Sequence, residues 1–222
     1  MLRQEIALIG FLSSKILRMK TSIKAVVFDF GGVLLDWNPC DLYKPYFPDD
    51  PQGIEDFLRE IDFFVWNAEQ DRGRSFAEGV AVHSAKFPHR ASLIKAYADH
   101  WEDSITGEIE GTVDILYRLK KKSYPLYGLS NWSAETFPLM LGKYSFFDKL
   151  DDIVFSGEIN LIKPEPEIYR YLLNRIEYSA SECLFIDDSL PNIETALELG
   201  FHAHHFKSPE ALEMVLREYQ IL

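Results

Sequence analysis

The stretch KAVVFDFGGVLLD, residues 24–36, decides the fold of this chain. An apolar run at residues 25–28 leads directly into the carboxylate of Asp29, and a Gly-Gly pair follows shortly after it. A run of this kind is typical of a strand that is buried on both faces of a parallel sheet. Ligands of such sheets bind outside the carboxyl ends of the strands. Asp29 is therefore a candidate nucleophile, although an aspartate that only caps a turn would give the same short pattern.

Three later segments carry polar residues in a similar setting. LYGLSNWS contains Ser130 and Asn131, LIKPEPEIY contains Lys163, and CLFIDDSLPNIETA contains Asp187 and Asp188. The first and third segments are apolar runs that end in polar residues, so they predict two more strands ending at the same edge of the sheet. Taken alone, the serine and asparagine are typical of an ordinary strand-to-helix turn, and the lysine of a solvated loop. Two adjacent acids at a buried strand end are harder to explain without a cation.

The order of these residues, an aspartate, then a serine, a lysine and an acidic pair, resembles the motifs of the haloacid dehalogenase-like (HAD) hydrolase superfamily. The resemblance extends from about Ile23 to the C-terminus. The resemblance implies an α/β fold, a doubly wound Rossmann-like parallel sheet with an all-helical cap inserted after the first strand. It also implies a hydrolase of phosphoric monoesters that depends on Mg²⁺. The expected substrate is a small phosphorylated metabolite, with sugar phosphates among the candidates, and the expected intermediate is an aspartyl-phosphate on Asp29.

The chemistry explains why these residue types occur together. A carboxylate attacks phosphorus only where positive charge cancels the repulsion between the two anions. Lys163 would supply one such charge. The carboxylates of Asp29, Asp187 and Asp188 would hold a divalent cation, and hard oxygen ligands favour Mg²⁺.

The remaining motif residues would bind the phosphoryl group or complete the metal site. Ser130 and the backbone N–H groups around Asn131 can donate hydrogen bonds to phosphoryl oxygens. The resemblance further implies that Asp188 contacts the metal directly, that Asp187 supports it indirectly, and that the backbone carbonyl of Gly31 is another ligand.

Gly31 departs from the pattern of the phosphatases, which usually carry a second aspartate two residues after the nucleophile. That acid protonates the leaving group and later deprotonates water, a contribution of about 10²–10⁴-fold. Asp36, in the same turn region, is one hypothetical replacement, although an ordinary turn residue is the simpler interpretation. A substrate with a good leaving group would need less help. Glycine at this position is also what a positive φ would require.

Two alternatives stay open. A 2-haloacid dehalogenase displaces halide from carbon with the same aspartate and lacks the second one, but the acidic pair would repel an anionic haloacid. The other alternative is a slow or non-catalytic protein that binds a phosphorylated ligand and has kept only the metal site.

We expect the all-helical cap to span residues 39–107. The α/β core would consist of residues 21–38 together with 108–222. GIEDFLRE, SFAEGVAVHSAKF and RASLIKAYADHWEDSI have helical spacing, with prolines and glycines between them. Trp66 and Arg72 are the candidate substrate-binding residues of the cap, with core packing as the alternative for the tryptophan. In the core, SAETFPLMLGKY predicts a helix over 133–144 between two strands.

Composition limits the remaining possibilities. A net charge of −12 argues against a nucleic-acid partner, and the absence of a long apolar run argues against a membrane span. Two distant cysteines, Cys40 and Cys183, predict reduced thiols and a cytoplasmic location. We expect residues 1–20 to be an extension outside the fold, with Met19 as the alternative start of the chain. The sequence gives no indication of the oligomeric state.

Overall fold

The structure is a computed structural model that describes residues 23–222. The predicted extension at 1–20 and the start at Met19 lie outside the described residues. In chain order the strands are β1 (Ala25–Phe28), β2 (Leu35–Trp37), β3 (Ile105–Glu108), β4 (Leu126–Ser130), β5 (Asp152–Phe155), β6 (Cys183–Asp187) and β7 (His202–His205).

Five of these strands form one parallel sheet in the order β5, β4, β1, β6 and β7. The sheet confirms the predicted doubly wound α/β core. Residues 25–28 of β1 are completely buried, because this central strand is covered on both faces. Val26 and Phe28 belong to the apolar core on one face, and Ala25 and Val27 to the core on the other. The unbroken apolar run is thus explained by its position.

Helices cover both faces and also fill the segment between β2 and β3. They are α1 (Pro39–Tyr43), α2 (Pro51–Glu60), α3 (Phe63–Asp71), α4 (Phe76–Lys86), α5 (Ala91–Asp99), α6 (Glu110–Lys121), α7 (Phe137–Met140), α8 (Ser156–Ile159), α9 (Pro166–Arg175), α10 (Leu190–Glu198) and α11 (Pro209–Glu218).

Helices α6 and α11 pack on one face of the sheet, and α9 and α10 pack on the other. Among residues 23–222 there is no helix with the length and apolar character needed to cross a bilayer.

The segment between β1 and β4 is not entirely helical. Strands β2 and β3 pair antiparallel, so the expectation of an all-helical 39–107 is wrong at residues 105–107. Both strands are short, and most of their residues are partly exposed, so they leave no periodic pattern in the sequence. They join the two ends of the helical segment, because the N–H of Asn38 also donates to the carbonyl of Ser104 at 2.7 Å.

The helix predicted over 133–144 is much shorter in the structure. Only Phe137–Met140 is helical. Pro138 lies in its first turn, where the missing N–H does no harm, but the ring prevents the helix from extending from further upstream. Gly142 has a φ of 85° and ends the segment.

We expect Gly128→Ala in the middle of β4 to destabilise the protein. A Cβ at this position would lie 2.3 Å from Cζ of Phe30, a buried ring that packs against Phe137 and Phe147. Overpacking of this kind costs about 1–3 kcal/mol. Chemical denaturation measures the loss in the free energy of unfolding. Gly31→Ala is the control, since a Cβ there would lie 3.7 Å from Cβ of Trp37, at ordinary contact distance. Equal stability of the two variants would contradict the packing argument.

Candidate active site

The ends of three neighbouring strands bring the predicted motif residues together. Asp29 follows β1, Ser130 ends β4 and Asp187 ends β6. Ser130 Oγ donates to Asp29 Oδ1 at 2.7 Å. Lys163 Nζ lies 2.9 Å from the same oxygen and 2.6 Å from Asp187 Oδ2. The four side chains therefore form one hydrogen-bonded cluster.

The two carboxylate oxygens of Asp29 have different surroundings. Oδ1 accepts from Ser130, from Lys163 and from the backbone N–H of Phe30, the last at 2.7 Å. Within residues 23–222 no hydrogen bond ends at Oδ2. Asp29 is 7% exposed, and its remaining exposure is toward a cavity that it helps to line. One oxygen thus orients the carboxylate, and the other is available to a ligand.

Lys163 is fixed from both of its ends. Its ammonium group uses all three donors, on Asp29, on Asp187 and on the carbonyl of Leu129 at 2.9 Å. Its backbone is held by the side-chain amide of Asn131, which donates to the carbonyl at 2.9 Å and accepts from the N–H at 2.8 Å. Asn131 therefore positions the lysine, a role that the sequence did not indicate, and it also lines the cavity.

The acidic pair divides into a buried and an exposed member. Asp187 is 0% exposed, and both its oxygens accept from Asn192 Nδ2 at 3.0 Å, in addition to Lys163 at Oδ2 and the N–H of Ser189 at Oδ1. Asp188 is exposed and borders the cavity. Its carboxylate is free to turn toward a ligand, whereas that of its neighbour is already saturated.

Negative charge exceeds positive charge in this cluster. Asp29, Asp187 and Asp188 can each offer an oxygen, and these oxygens lie within 4.8 Å of one another. Burial raises the pKa of Asp29, and the adjacent acids add to the rise, while Lys163 opposes it. The carboxyl group of Asp188 is only partly desolvated at the cavity rim, and this desolvation and the charge of Asp187 likewise raise its pKa. The three carboxylates therefore fit a divalent cation, which would compensate the excess charge.

Burial alone would disfavour the ammonium form of Lys163. Asp187 and Asp29 outweigh this effect and raise the pKa of the lysine, so its positive charge is retained inside the protein.

Gly31 has no conformational reason to be a glycine. Its φ is not positive, and a Cβ would meet only Cβ of Trp37 at 3.7 Å. The positive φ of 73° belongs to Gly32, where a Cβ would also lie 2.4 Å from Asp188 Oδ2. The explanation of Gly31 by a positive φ is therefore wrong. The close approach of the acidic pair to the turn instead requires glycine at the next position.

Asp36 is not placed to replace the missing acid. Its carboxylate is exposed and accepts from Thr106 Oγ1 at 2.5 Å across the β2–β3 pair. It is absent from the residues that line the cavity beside Asp29. The hypothesis that it transfers the proton has no geometric support.

A cavity of about 840 Å³ opens beside Asp29, between the sheet edge and helix α3. Apart from the cluster, its walls are mainly aromatic and apolar. These wall residues are Trp37, Phe64, Val65, Ala68, Tyr97, Trp101, Trp132, Pro164 and Pro191.

Trp66 and Arg72 do not line this cavity. Trp66 is 3% exposed, stacks on His83 and donates to the carbonyl of Gly79 at 3.0 Å, so it is a core residue of the helical segment. Arg72 makes a bidentate ion pair with Glu165, at 2.9 and 2.7 Å. Their placement gives no support to the prediction that they bind substrate.

Sequence reasoning missed several cavity residues. Asn192 lies on the first turn of α10, five residues after Asp187, and donates to it. Its spacing from the acidic pair could have indicated that it lies at the site. Asn67 and Asp71 lie on α3 in the same segment as Trp66, but no local pattern distinguishes which of these side chains faces the sheet.

Comparison with known proteins agrees with this geometry. The family model described as haloacid dehalogenase-like hydrolase matches residues 23–200. A sesquiterpene phosphatase of Aspergillus oryzae is 28% identical, over 90% of this chain and 98% of that protein. A D-ribitol-5-phosphate phosphatase of Bacteroides thetaiotaomicron is 26% identical, over 81% and 89%. An (S)-2-haloacid dehalogenase of a Pseudomonas strain is 23% identical, over 90% and 92%.

Solved structures give the same relationship. A HAD family enzyme of Bacteroides thetaiotaomicron, crystallised with magnesium and inorganic phosphate, has a TM-score of 0.63 and 27% identity, covering 84% of this chain and 95% of that one. The parallel sheet, the cluster at its edge and the family match together identify the chain as a member of the haloacid dehalogenase-like hydrolases, of the phosphatase type.

Proposed function

We propose that the chain is a Mg²⁺-dependent phosphatase that cleaves monophosphate esters through an aspartyl-phosphate on Asp29. The observation that carries this proposal is the asymmetry of that carboxylate. Three donors hold Oδ1, and one of them is the ammonium of Lys163, while Oδ2 is unpaired among the described residues and borders the cavity. A nucleophile needs this combination of fixed orientation and a free lone pair.

The residues of the cluster have separate tasks in this mechanism. Oδ2 of Asp29 attacks phosphorus, and the ester oxygen departs on the opposite side. Lys163 compensates the charge of the nucleophile and the phosphoryl group, and the Ser130 hydroxyl can turn from Asp29 to a phosphoryl oxygen. Asn131 keeps the lysine in place.

The metal site is proposed from the same donors. Asp29 and Asp188 would bind Mg²⁺ directly, and Asp187 would support it through its hydrogen bonds. The carbonyl of Gly31 would be the further ligand that the family resemblance implies. When bound, the ion supplies positive charge that neutralises the phosphoryl group.

Residues 39–107, which are largely helical but include most of β3, are proposed to act as a cap, with the boundaries that the sequence predicts. Support comes from α3, which contributes Phe64, Val65, Ala68 and Asp71 to the cavity beside the cluster. A cap in this position would exclude water and select the substrate.

We further propose that the substrate carries one phosphate on a largely apolar organic group. Lys163 is the only cationic side chain that lines the cavity within residues 23–222, which disfavours a second phosphate. The aromatic walls favour an apolar or flat group over a fully hydroxylated chain. The sesquiterpene phosphatase among the relatives is consistent with this choice. Sugar phosphates, which are among the candidates that the family resemblance implies, are the alternative to be compared directly.

The 2-haloacid dehalogenase and the non-catalytic binding protein are separate outcomes of the same assays. Halide release from 2-chloropropionate without metal would favour the dehalogenase. Phosphate binding without any turnover would favour the binding protein.

Asp29→Asn should abolish turnover without unfolding the protein. The amide has nearly the same shape as the carboxylate, but it is a poor nucleophile. Hydrolysis of 4-nitrophenyl phosphate with Mg²⁺ measures the effect, and thermal melting checks the fold. Asp56→Asn, an exposed acid on α2, is the control with unchanged activity. Activity of Asp29→Asn above about a tenth of the wild-type rate would rule out the covalent mechanism.

Mg²⁺ should raise the melting temperature of the wild type, and Asp188→Asn should remove most of this increase. A ligand that binds only the folded state at about 100 times its Kd stabilises it by about 2.7 kcal/mol. Differential scanning fluorimetry with Mg²⁺ and with chelator measures the difference without any substrate. Asp36→Asn is the control that should respond like the wild type. An unchanged response of Asp188→Asn to Mg²⁺ would exclude this carboxylate as a ligand.

The value of kcat/KM should rise along a series of linear alkyl phosphates from ethyl to decyl, and decyl phosphate should exceed ribitol 5-phosphate and glucose 1-phosphate. Burial of each methylene is worth about 0.8 kcal/mol, or up to roughly fourfold in rate. Phe64→Ser should flatten the series, whereas Val82→Ser, an equally exposed apolar residue outside the cavity, should not. A preference for the sugar phosphates would contradict the apolar substrate and favour a sugar phosphate instead.

A further inference from the structure

The proposed phosphatase needs a proton donor that its sheet edge does not supply. At position 31 there is no side chain, and Asp36 lies outside the cavity. Asp187 is saturated by hydrogen bonds, and Asp188 is assigned to the metal. We propose that Asp71, at the end of helix α3, protonates the leaving group and then deprotonates the attacking water; this inference rests on the proposed function.

The position of Asp71 is the first support. Its side chain lines the same cavity as Asp29, Ser130 and Lys163, but it comes from the helical segment and not from the sheet. Asn67 Nδ2, one turn earlier on α3, donates to its Oδ2 at 2.9 Å. One carboxyl oxygen is thereby oriented. The side chain is partly exposed, and this exposure is toward the cavity that would hold the substrate.

The backbone around Asp71 is tied to the core next to the cluster. Ser156 Oγ, just after β5, donates to the carbonyl of Asp71 at 2.5 Å. The next residue, Arg72, forms its bidentate ion pair with Glu165, which lies two residues after Lys163. These contacts explain why Arg72 does not reach the cavity. Arg72 is therefore a positioning residue for Asp71.

Asp71 is in an environment in which both protonation states are accessible near neutral pH. Burial raises its pKa to about 7, and the negative charge of Asp29 adds to the shift, while the N–H of Ser133 opposes it. A general acid–base group is most effective when its pKa is close to the working pH. Glu69, the other acid that α3 contributes to the cavity, is exposed and lacks these hydrogen bonds.

The proton balance closes over two steps. In the first, Asp29 Oδ2 forms a bond to phosphorus, the phosphorus–ester oxygen bond breaks, and the proton of Asp71 moves to that oxygen, so that an alcohol leaves. In the second, a water oxygen attacks the phosphorus of the aspartyl-phosphate, and Asp71 takes one of the water protons. The bond between phosphorus and Asp29 breaks, which releases phosphate and returns both aspartates to their starting states.

The test uses Asp71→Asn with two probes that differ in leaving group. The 4-nitrophenolate ion is stable enough to leave from 4-nitrophenyl phosphate without being protonated. The octanol oxygen of octyl phosphate must be protonated as it leaves. Rapid-mixing kinetics should therefore show a burst of nitrophenolate, about one per enzyme, followed by turnover slower than wild type by about 10²–10⁴-fold, since the second step lacks its base. With octyl phosphate the burst should be absent and the first step slower by a similar factor. Asp36→Asn is the matched control and should behave like the wild type with both probes.

The outcomes separate this inference from the function on which it rests. A wild-type protein that hydrolyses neither probe would contradict the phosphatase itself. If the wild type hydrolyses both and Asp71→Asn slows the first step equally with both, the residue has a structural role and the inference is wrong. Unchanged kinetics of Asp71→Asn would also overturn it. The nitrophenolate burst reports in addition that the variant is folded, so loss of structure cannot imitate the expected result.

Discussion

The buried ammonium of Lys163 is the interaction on which the rest of this site depends. Two carboxylates, Asp29 and Asp187, approach it within 2.9 and 2.6 Å at a sheet edge where all three groups are almost fully buried. A buried acid without a partner costs several kcal/mol, and removal of one member of a buried ion pair typically costs about 3–5 kcal/mol. The strand ends can therefore carry their acids only because a cation arrives from another part of the chain.

This requirement explains the construction of the loop that carries the lysine. A flexible loop lysine would prefer water, and burial alone disfavours its charged form. The amide of Asn131 holds its backbone by a reciprocal pair of hydrogen bonds, and the carbonyl of Leu129 takes its third donor. The strand β4 thus supplies both the hydroxyl that contacts the nucleophile and the groups that position its counter-charge.

The sequence was sufficient for every group whose position follows from a strand end. Asp29, Ser130 and Asp187 follow apolar runs, and parallel strands bring their carboxyl ends to one edge regardless of the loops between them. It was insufficient where position depends on how one helix packs on the rest. Trp66 and Asp71 are five residues apart on α3, yet one faces the core of the helical segment and the other the cavity. A helical pattern gives relative directions around the axis, but the rotation of the helix is set by packing partners far away in sequence.

The same distinction applies to Arg72 and to the short strands. The bidentate pair between Arg72 and Glu165 spans 93 positions and has no local signature. Strands β2 and β3 pair across most of the helical segment, and half-exposed strands of three and four residues are too short to show alternation. Gly31 and Gly32 are adjacent and look equivalent in sequence, but only the second is constrained, because Asp188 arrives beside it from β6.

With Asp71 as the proton-transfer group, the two halves of the chemistry belong to different parts of the molecule. The sheet edge contributes the nucleophile and its counter-charge, and α3 contributes the acid and much of the apolar wall. The site is then complete only while α3 is packed against the core, through Ser156 and the pair between Arg72 and Glu165. A proton donor on the sheet would be present whether or not the cavity was filled. A donor on the helical segment instead makes release of the leaving group depend on the same packing that encloses the substrate, so that binding of the organic group and breakage of its ester bond are physically coupled.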